Sequence, residues 1–130
     1  MQVFDKNTIR ELKKYLYSSS CVHDAEITNI QYKDDDIIVE AYNPIETKRI
    51  RWIFHDVETV VVLKGHWFGD SKTIIDLTVE DNLSFLNSII QHNEASKAGA
   101  ANDLYLVFEQ LSGHECHIVT KELTMEITEA

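Results

Sequence analysis

Three short segments of the chain carry the residue types that do chemistry. Ser20-Cys21-Val22-His23-Asp24-Ala25-Glu26-Ile27 sets a thiol, an imidazole and two carboxylates close together, His55-Asp56 repeats the imidazole–carboxylate pair, and His114-Glu115-Cys116-His117 follows late in the chain. Such sets can supply a nucleophilic thiol with its base, a histidine oriented by a carboxylate, or a Cys/His zinc site. The spacing argues against each. A reactive thiol needs a setting that favours the thiolate, whereas Cys21 follows the expected end of a helix, whose negative pole opposes it. His23 and Asp24 are neighbours where a strand begins, so their side chains diverge. His-Asp phosphohydrolases are all-helical metal enzymes, unlike this β-rich pattern. Cys116 and His117 face opposite sides of a strand, and H-x-C-H is not a zinc knuckle. The sequence therefore predicts no catalytic residue, no metal ligand and no cofactor. The competing expectation is a small hydrolase or metal-dependent enzyme that gathers His23, Asp24 and His114 or His117 into one cleft.

Two other groups are better suited to binding. Asp34, Asp35 and Asp36 fall between two strand-like runs and form the expected tip of a hairpin, without the Gly and distant Glu of a calcium loop. Trp67 and Phe68 lie in a loop between Gly65 and Gly69, where large aromatics either plug a local core or anchor a partner. These five residues are the candidate partner-binding set. Lys48, Arg49 and Arg51 beside Trp52 resemble a nucleic-acid platform in composition only, because Arg49 and Arg51 alternate onto the face opposite Trp52. Gly65 and Gly69 match neither a P-loop nor a dinucleotide fingerprint.

The elements that must position these residues follow from periodicity. Thr8-Ile9-Arg10-Glu11 reads as a capping box, and Ile9, Leu12 and Leu16 continue at helical spacing, which predicts a helix over Thr8 to Tyr17. Ser18-Ser19-Ser20 ends it. Residues 25–33 and 37–42 alternate as a hairpin, and Asn43-Pro44 turns the chain. Ile50, Trp52 and Phe54 share one face. Val57, Thr59, Val61 and Leu63 then continue on the other parity, so a bulge is expected near His55-Asp56. Val60 to Leu63, apolar on both faces, predicts a strand covered on each side. Thr73 to Val79 forms another strand. Asp81 is the expected cap of a second helix striped by Leu83, Leu86, Ile89 and Ile90. Residues 93–102 predict a mobile loop, and the chain returns to β from Leu104, turning at Ser112-Gly113. The sum is one α+β domain over residues 1–130: an antiparallel, mainly meandering sheet of about seven strands with two helices. A β-sandwich is the alternative.

Composition limits the partners. The 130 residues include 22 acidic and 12 basic side chains, a net charge of −10, and 44% are hydrophobic. That field opposes nucleic-acid backbones and anionic membranes and favours a cationic protein. Two cysteines far apart do not form a secreted disulfide framework. No apolar run reaches the length of a membrane span, and charges begin at Asp5. A cytoplasmic protein is expected.

Val22-His23-Asp24-Ala25-Glu26-Ile27, Phe54 to Val57 and Ser112 to Ile118 together resemble a bacterial family of small uncharacterised β-rich domains. Its members begin their first strand with hydrophobic-His-Asp-x-x-Ile, carry Phe-x-x-Val mid-chain and end on a Ser-Gly hairpin. Some look like immunity proteins encoded beside contact-dependent toxins, so the resemblance implies binding and blocking a partner. It adds no catalytic residue, and the segment from Leu83 through the following loop lies outside its pattern. The expected function is a non-enzymatic binding protein, with toxin neutralisation as its specific form. Self-association into a homodimer through a strand edge or the Trp67-Phe68 loop is the third expectation.

Overall fold

Two long alternating strands form the spine of the structure, a computed structural model that describes residues 1–65, 69–70, 72–81, 84–89 and 103–130. Strand β4, Lys48–Leu63, pairs antiparallel with strand β7, Glu115–Glu129, from Lys48 opposite Glu129 to Leu63 opposite Glu115. Strand β3, Asp36–Asn43, covers the other edge of β4 only between Lys48 and Phe54, and strand β2, Glu26–Lys33, pairs with β3 through a tight hairpin. Asp34 makes that turn at φ 54°, a left-handed conformation that Asp tolerates better than most residues.

The far edge of β7 is shared end to end. Strand β1, Gln2–Asp5, pairs with residues 122–125, and strand β6, Leu104–Gln110, pairs with residues 115–120. Strand β5, Ile74–Glu80, lies outside β6, so the order is β2-β3-β4-β7-β6-β5 with β1 beside β7, every pair antiparallel. The seven-stranded sheet curls until its terminal strands meet at one isolated bridge, Glu26 opposite Thr73. Asp24 and Ile27 donate backbone bonds of 2.8 and 2.9 Å to the carbonyls of Ile74 and Lys72, and Ile74 donates one of 2.8 Å to Ala25. The sheet stops there, and it is not a barrel.

The curl defines an inner and an outer face. Ile37, Val39, Ile50, Trp52, Phe54, Leu106, Phe108, Ile118, Leu123 and Met125 fill the inner face, with Trp52 and Phe54 each packed edge-on against the ring of Phe108. Helix α1, Ile9–Ser18, closes this core with fully buried Leu12, and Ile9, Tyr15 and Leu16 pack beside it. A second, smaller cluster lies on the outer face, where Leu86 of helix α2, Ser84–Ile89, covers Tyr105, Val107 and Val119.

The sheet-rich α+β reading holds, and its details are corrected. All seven strands belong to one sheet, as the leading reading expects, and not to the two stacked sheets of the alternative sandwich. The two expected helices become one ten-residue helix, 3-10 turns at Lys6–Thr8 and Ser20–Val22, and only six described residues at α2. The capping box sits three residues upstream: Asp5 accepts from the Thr8 backbone and Thr8 Oγ1 accepts from the Asp5 backbone, so Asp5 caps the short turn and the Thr8 side chain makes no cap bond to α1. Asp81 holds Lys13 in an ion pair across to α1. The bulge is present, with Asp56 at φ 50° and a register shift between Val57 and Thr59. Val60 and Val62 are exposed, because β3 ends before reaching them. Leu83, Ile90 and the loop expected over residues 93–102 lie outside the described residues.

Candidate functional site

The registers of β5, β6 and β7 set a row of carboxylates across the outer face. Asp76 is directly opposite Glu109, and Glu109 is directly opposite Glu115. One step along, Thr78, Val107 and His117 form the next row, and Glu80 opposite Tyr105 opens the one after. Like charges directly opposite one another on neighbouring strands destabilise a sheet, and opposite charges support it. None of these four carboxylates has a Lys or Arg ion pair among the described residues. The consequence is visible at Glu109, the middle of the row. Its carboxyl is pushed above the usual carboxylate range, first by desolvation and then by the charges of Asp76, Glu115 and Glu80.

Beneath the row lies a buried polar relay. The His117 ring, only 2% exposed, shares a hydrogen bond of 2.6 Å between Nδ1 and the Tyr105 phenol, and one of 2.9 Å between Nε2 and Glu115. Burial and the charges of Glu80 and Glu115 push the Tyr105 phenol up to about 12. The relay fixes Glu115 in the row, because a carboxylate bonded to a buried ring cannot swing away to relieve repulsion.

The residues singled out for catalysis do not gather here. His23 and Asp24, expected to diverge as strand neighbours, instead pair with each other at 3.0 Å, because they lie on an exposed bend before the strand begins, 62% and 50% open at the side chain. Asp24 has φ 68°, so it supplies a left-handed corner. The backbone of that corner is held by Asn43, which is 1% exposed. Its amide donates to the carbonyls of Cys21 and His23 at 2.8 and 3.1 Å and accepts from Ile45 and Glu46, both at 2.9 Å. His114 sits in the β6–β7 hairpin, its Nδ1 2.8 Å from Ser112 Oγ and accepting from the Gly65 backbone at 3.2 Å. Cys116 turns to the inner face, and burial pushes its thiol up to about 11. His55 Nε2 shares a hydrogen bond of 2.9 Å with Thr124 Oγ1. No group of His, Cys, Asp and Glu among the described residues is arranged to hold a metal ion.

Of the candidate binding residues, Asp34 and Asp35 are exposed at the hairpin tip. Asp36 is engaged: it accepts from the Asp56 backbone at 3.1 Å and lies 3.5 Å from His55 Nδ1. The tip is therefore docked on the β4 bulge, where the Asp35 carbonyl also accepts from Val57 at 2.8 Å. Trp67 and Phe68 lie outside the described residues. Arg49 and Arg51 do face away from fully buried Trp52, into an outer groove of about 660 Å³. Glu40 and Glu126 flank Arg51 in register, so that groove is balanced in charge and offers no basic track to a polyanion.

Sequence reasoning missed the carboxylate row. Its signal was present in the Ser112-Gly113 turn, which sets Glu109 across from Glu115; the β5–β6 register that adds Asp76 depends on a long-range pairing with its own shift between Ile74 and Asp76. No helix among the described residues is long and apolar enough to cross a membrane. No protein-family model, curated protein or solved structure matches this chain.

Proposed function

We propose that the protein is a non-enzymatic, cytoplasmic binding protein that captures a cationic protein partner on the outer face of β5–β6–β7. The observation that carries this reading is the Asp76–Glu109–Glu115 row, in register on three strands and without a Lys or Arg ion pair among the described residues. The fold holds these charges together at a cost, and Lys or Arg side chains of a partner would offset it by supplying the missing counter-charges. The His23–Asp24 pair, His114, Cys116 and His117 each have different partners, which favours binding over the hydrolase alternative.

Neutralisation of a basic toxin domain is the specific form of this function that the Val22-His23-Asp24 resemblance implies. A non-catalytic inhibitor needs fast capture, and a single-sign face accelerates encounter. The test is affinity capture from lysate of the source organism with the wild-type chain and with Asp76→Asn/Glu109→Gln/Glu115→Gln. A basic protein retained by the wild type and lost by the triple variant supports the reading. Equal retention by both, or a hydrolytic activity abolished by His23→Ala, overturns it.

A further inference from the structure

Among the described residues, the second half of β4 has no strand on its edge away from β7. β3 stops pairing at Ile37 opposite Phe54, and the last bond to that side of β4 is Val57 to the Asp35 carbonyl. From Glu58 to Leu63 no described strand lies on the edge away from β7. Exposed apolar side chains gather beside it: Val60 at 37%, Val62 at 56%, and across the mouth of the curl Ile30 at 47% and Tyr32 at 73%. A small cavity of about 50 Å³ opens among Ile30, Tyr32, Val60 and the core residues Phe108 and Ile118. A β-branched edge that carries charge only at its two ends, Glu58 and Lys64, is a template for another strand, since folds that avoid such pairing place charges or proline within the edge or cover it.

The sequence of this edge is symmetric about Val61 in a way that selects the occupant. Glu58 and Lys64 lie at equal distance on either side of it, Thr59 and Leu63 next, and Val60 and Val62 flank it. In an antiparallel pairing centred on Val61, Val60 meets Val62 of the second copy on the inner face. Glu58, which pairs with Lys121 of its own copy at 2.9 Å, comes opposite Lys64 of the other copy at each end. Lys64 is exposed and has no ion pair among the described residues, and the pairing brings it beside Asp34 and Asp35 of the docked hairpin tip. We propose that residues 58–64 of β4 pair antiparallel with the same segment of a second copy of this chain, forming a two-fold dimer with one continuous sheet. Such an interface is isologous, each residue i meeting j where j meets i. Pairs opposite each other share a face, so the two-fold axis is perpendicular to the sheet and both carboxylate rows lie on the same side of the dimer.

Sedimentation velocity of the full chain over a wide concentration range reads the equilibrium. The wild type is expected to show a monomer–dimer transition. Val62→Lys places a charge against the apolar face of the partner strand and should weaken the dimer by more than about tenfold with an unchanged circular dichroism spectrum. Lys64→Glu should weaken it severalfold, and Asp34→Lys/Asp35→Lys added to Lys64→Glu should restore it. Val61→Cys, the residue on the axis, should give a disulfide-linked dimer on mild oxidation that the wild type does not. If Val62→Lys fails to fold, that cross-link still decides. A wild type that stays monomeric throughout, a dimer indifferent to Val62→Lys and Lys64→Glu, or no cross-link through Val61→Cys overturns the proposal. So does a monomer whose edge takes up a foreign strand instead.

Discussion

Tyr105 and His117 are diagonal neighbours on β6 and β7, with phenol oxygen and Nδ1 2.6 Å apart and ring centroids 5.7 Å apart, both side chains buried. On its other side the His117 ring reaches Glu115, so a residue that looks like a catalytic base is the anchor of a surface carboxylate. The outer-face chemistry depends on this pair.

Because burial and two carboxylates raise the Tyr105 phenol to about 12, the folded state keeps its proton more tightly than the unfolded chain does. That stability is fully present below the ordinary tyrosine value near 10 and is lost as pH rises toward about 12. Urea unfolding between neutral and strongly alkaline pH should show the loss in the wild type. Tyr105→Phe should lack this step and be less stable at neutral pH by about 1 kcal/mol, since it removes a buried hydrogen bond to His117.

The corner at His23-Asp24 should respond to backbone demands and not to charge. Asp24 adopts φ 68°, so Asp24→Gly and Asp24→Asn should leave the melting temperature nearly unchanged, while Asp24→Val should cost about 1–2 kcal/mol. Asn43→Ala should cost more than Asp24→Ala, because the Asn43 amide satisfies four buried or half-buried backbone groups. Equal and opposite behaviour, with Asp24→Asn damaging and Asn43→Ala neutral, would point to a role for the Asp24 charge.

Neither thiol should behave as a nucleophile. Burial holds both Cys21 and Cys116 above the usual thiol range, Cys116 at about 11, so the thiolate is scarce near neutral pH. Labelling with a thiol reagent at pH 8 should be slow in the native protein and fast after unfolding. Fast native labelling at Cys116 would reopen the enzyme reading.

The fold was legible in the sequence wherever alternation was long and one face was buried. Ile50, Trp52 and Phe54, and later Leu104, Leu106 and Phe108, sit inside as their parity requires. The parity slip at His55-Asp56 correctly marked a bulge. What escaped was set by distant partners. Gln2–Asp5 is too short to announce a strand and forms one only because β7 extends past β6. Val60 and Val62 look like core residues, since composition does not reveal that β3 ends early. The Asp34–Asp36 tip looked free, whereas its docking on the bulge depends on the β3–β4 register. The carboxylate row was hidden for the same reason: Asp76 and Glu115 are far apart in sequence and meet only through Glu109.

Glu109→Gln should stabilise the protein. Its carboxyl is raised by desolvation and by Asp76, Glu115 and Glu80, so the charged form at neutral pH opposes folding. The gain should be present above the raised Glu109 value and vanish as pH falls through it toward the ordinary glutamate range, where the wild-type carboxyl is itself neutral. Added salt should narrow the gap between variant and wild type. A Glu109→Gln variant less stable than the wild type at neutral pH would mean the row is internally compensated.

The most direct test of the cation-binding face is a nuclear magnetic resonance titration of the isotopically labelled protein with an oligolysine peptide at low salt. The expected shifts cluster on Asp76, Glu80, Glu109 and Glu115 and their strand neighbours. They should fade as salt shortens screening to about 8 Å and disappear in Asp76→Asn/Glu109→Gln/Glu115→Gln. Shifts centred on Asp34 and Asp35, or spread evenly over the acidic surface and unchanged in the triple variant, would contradict the account.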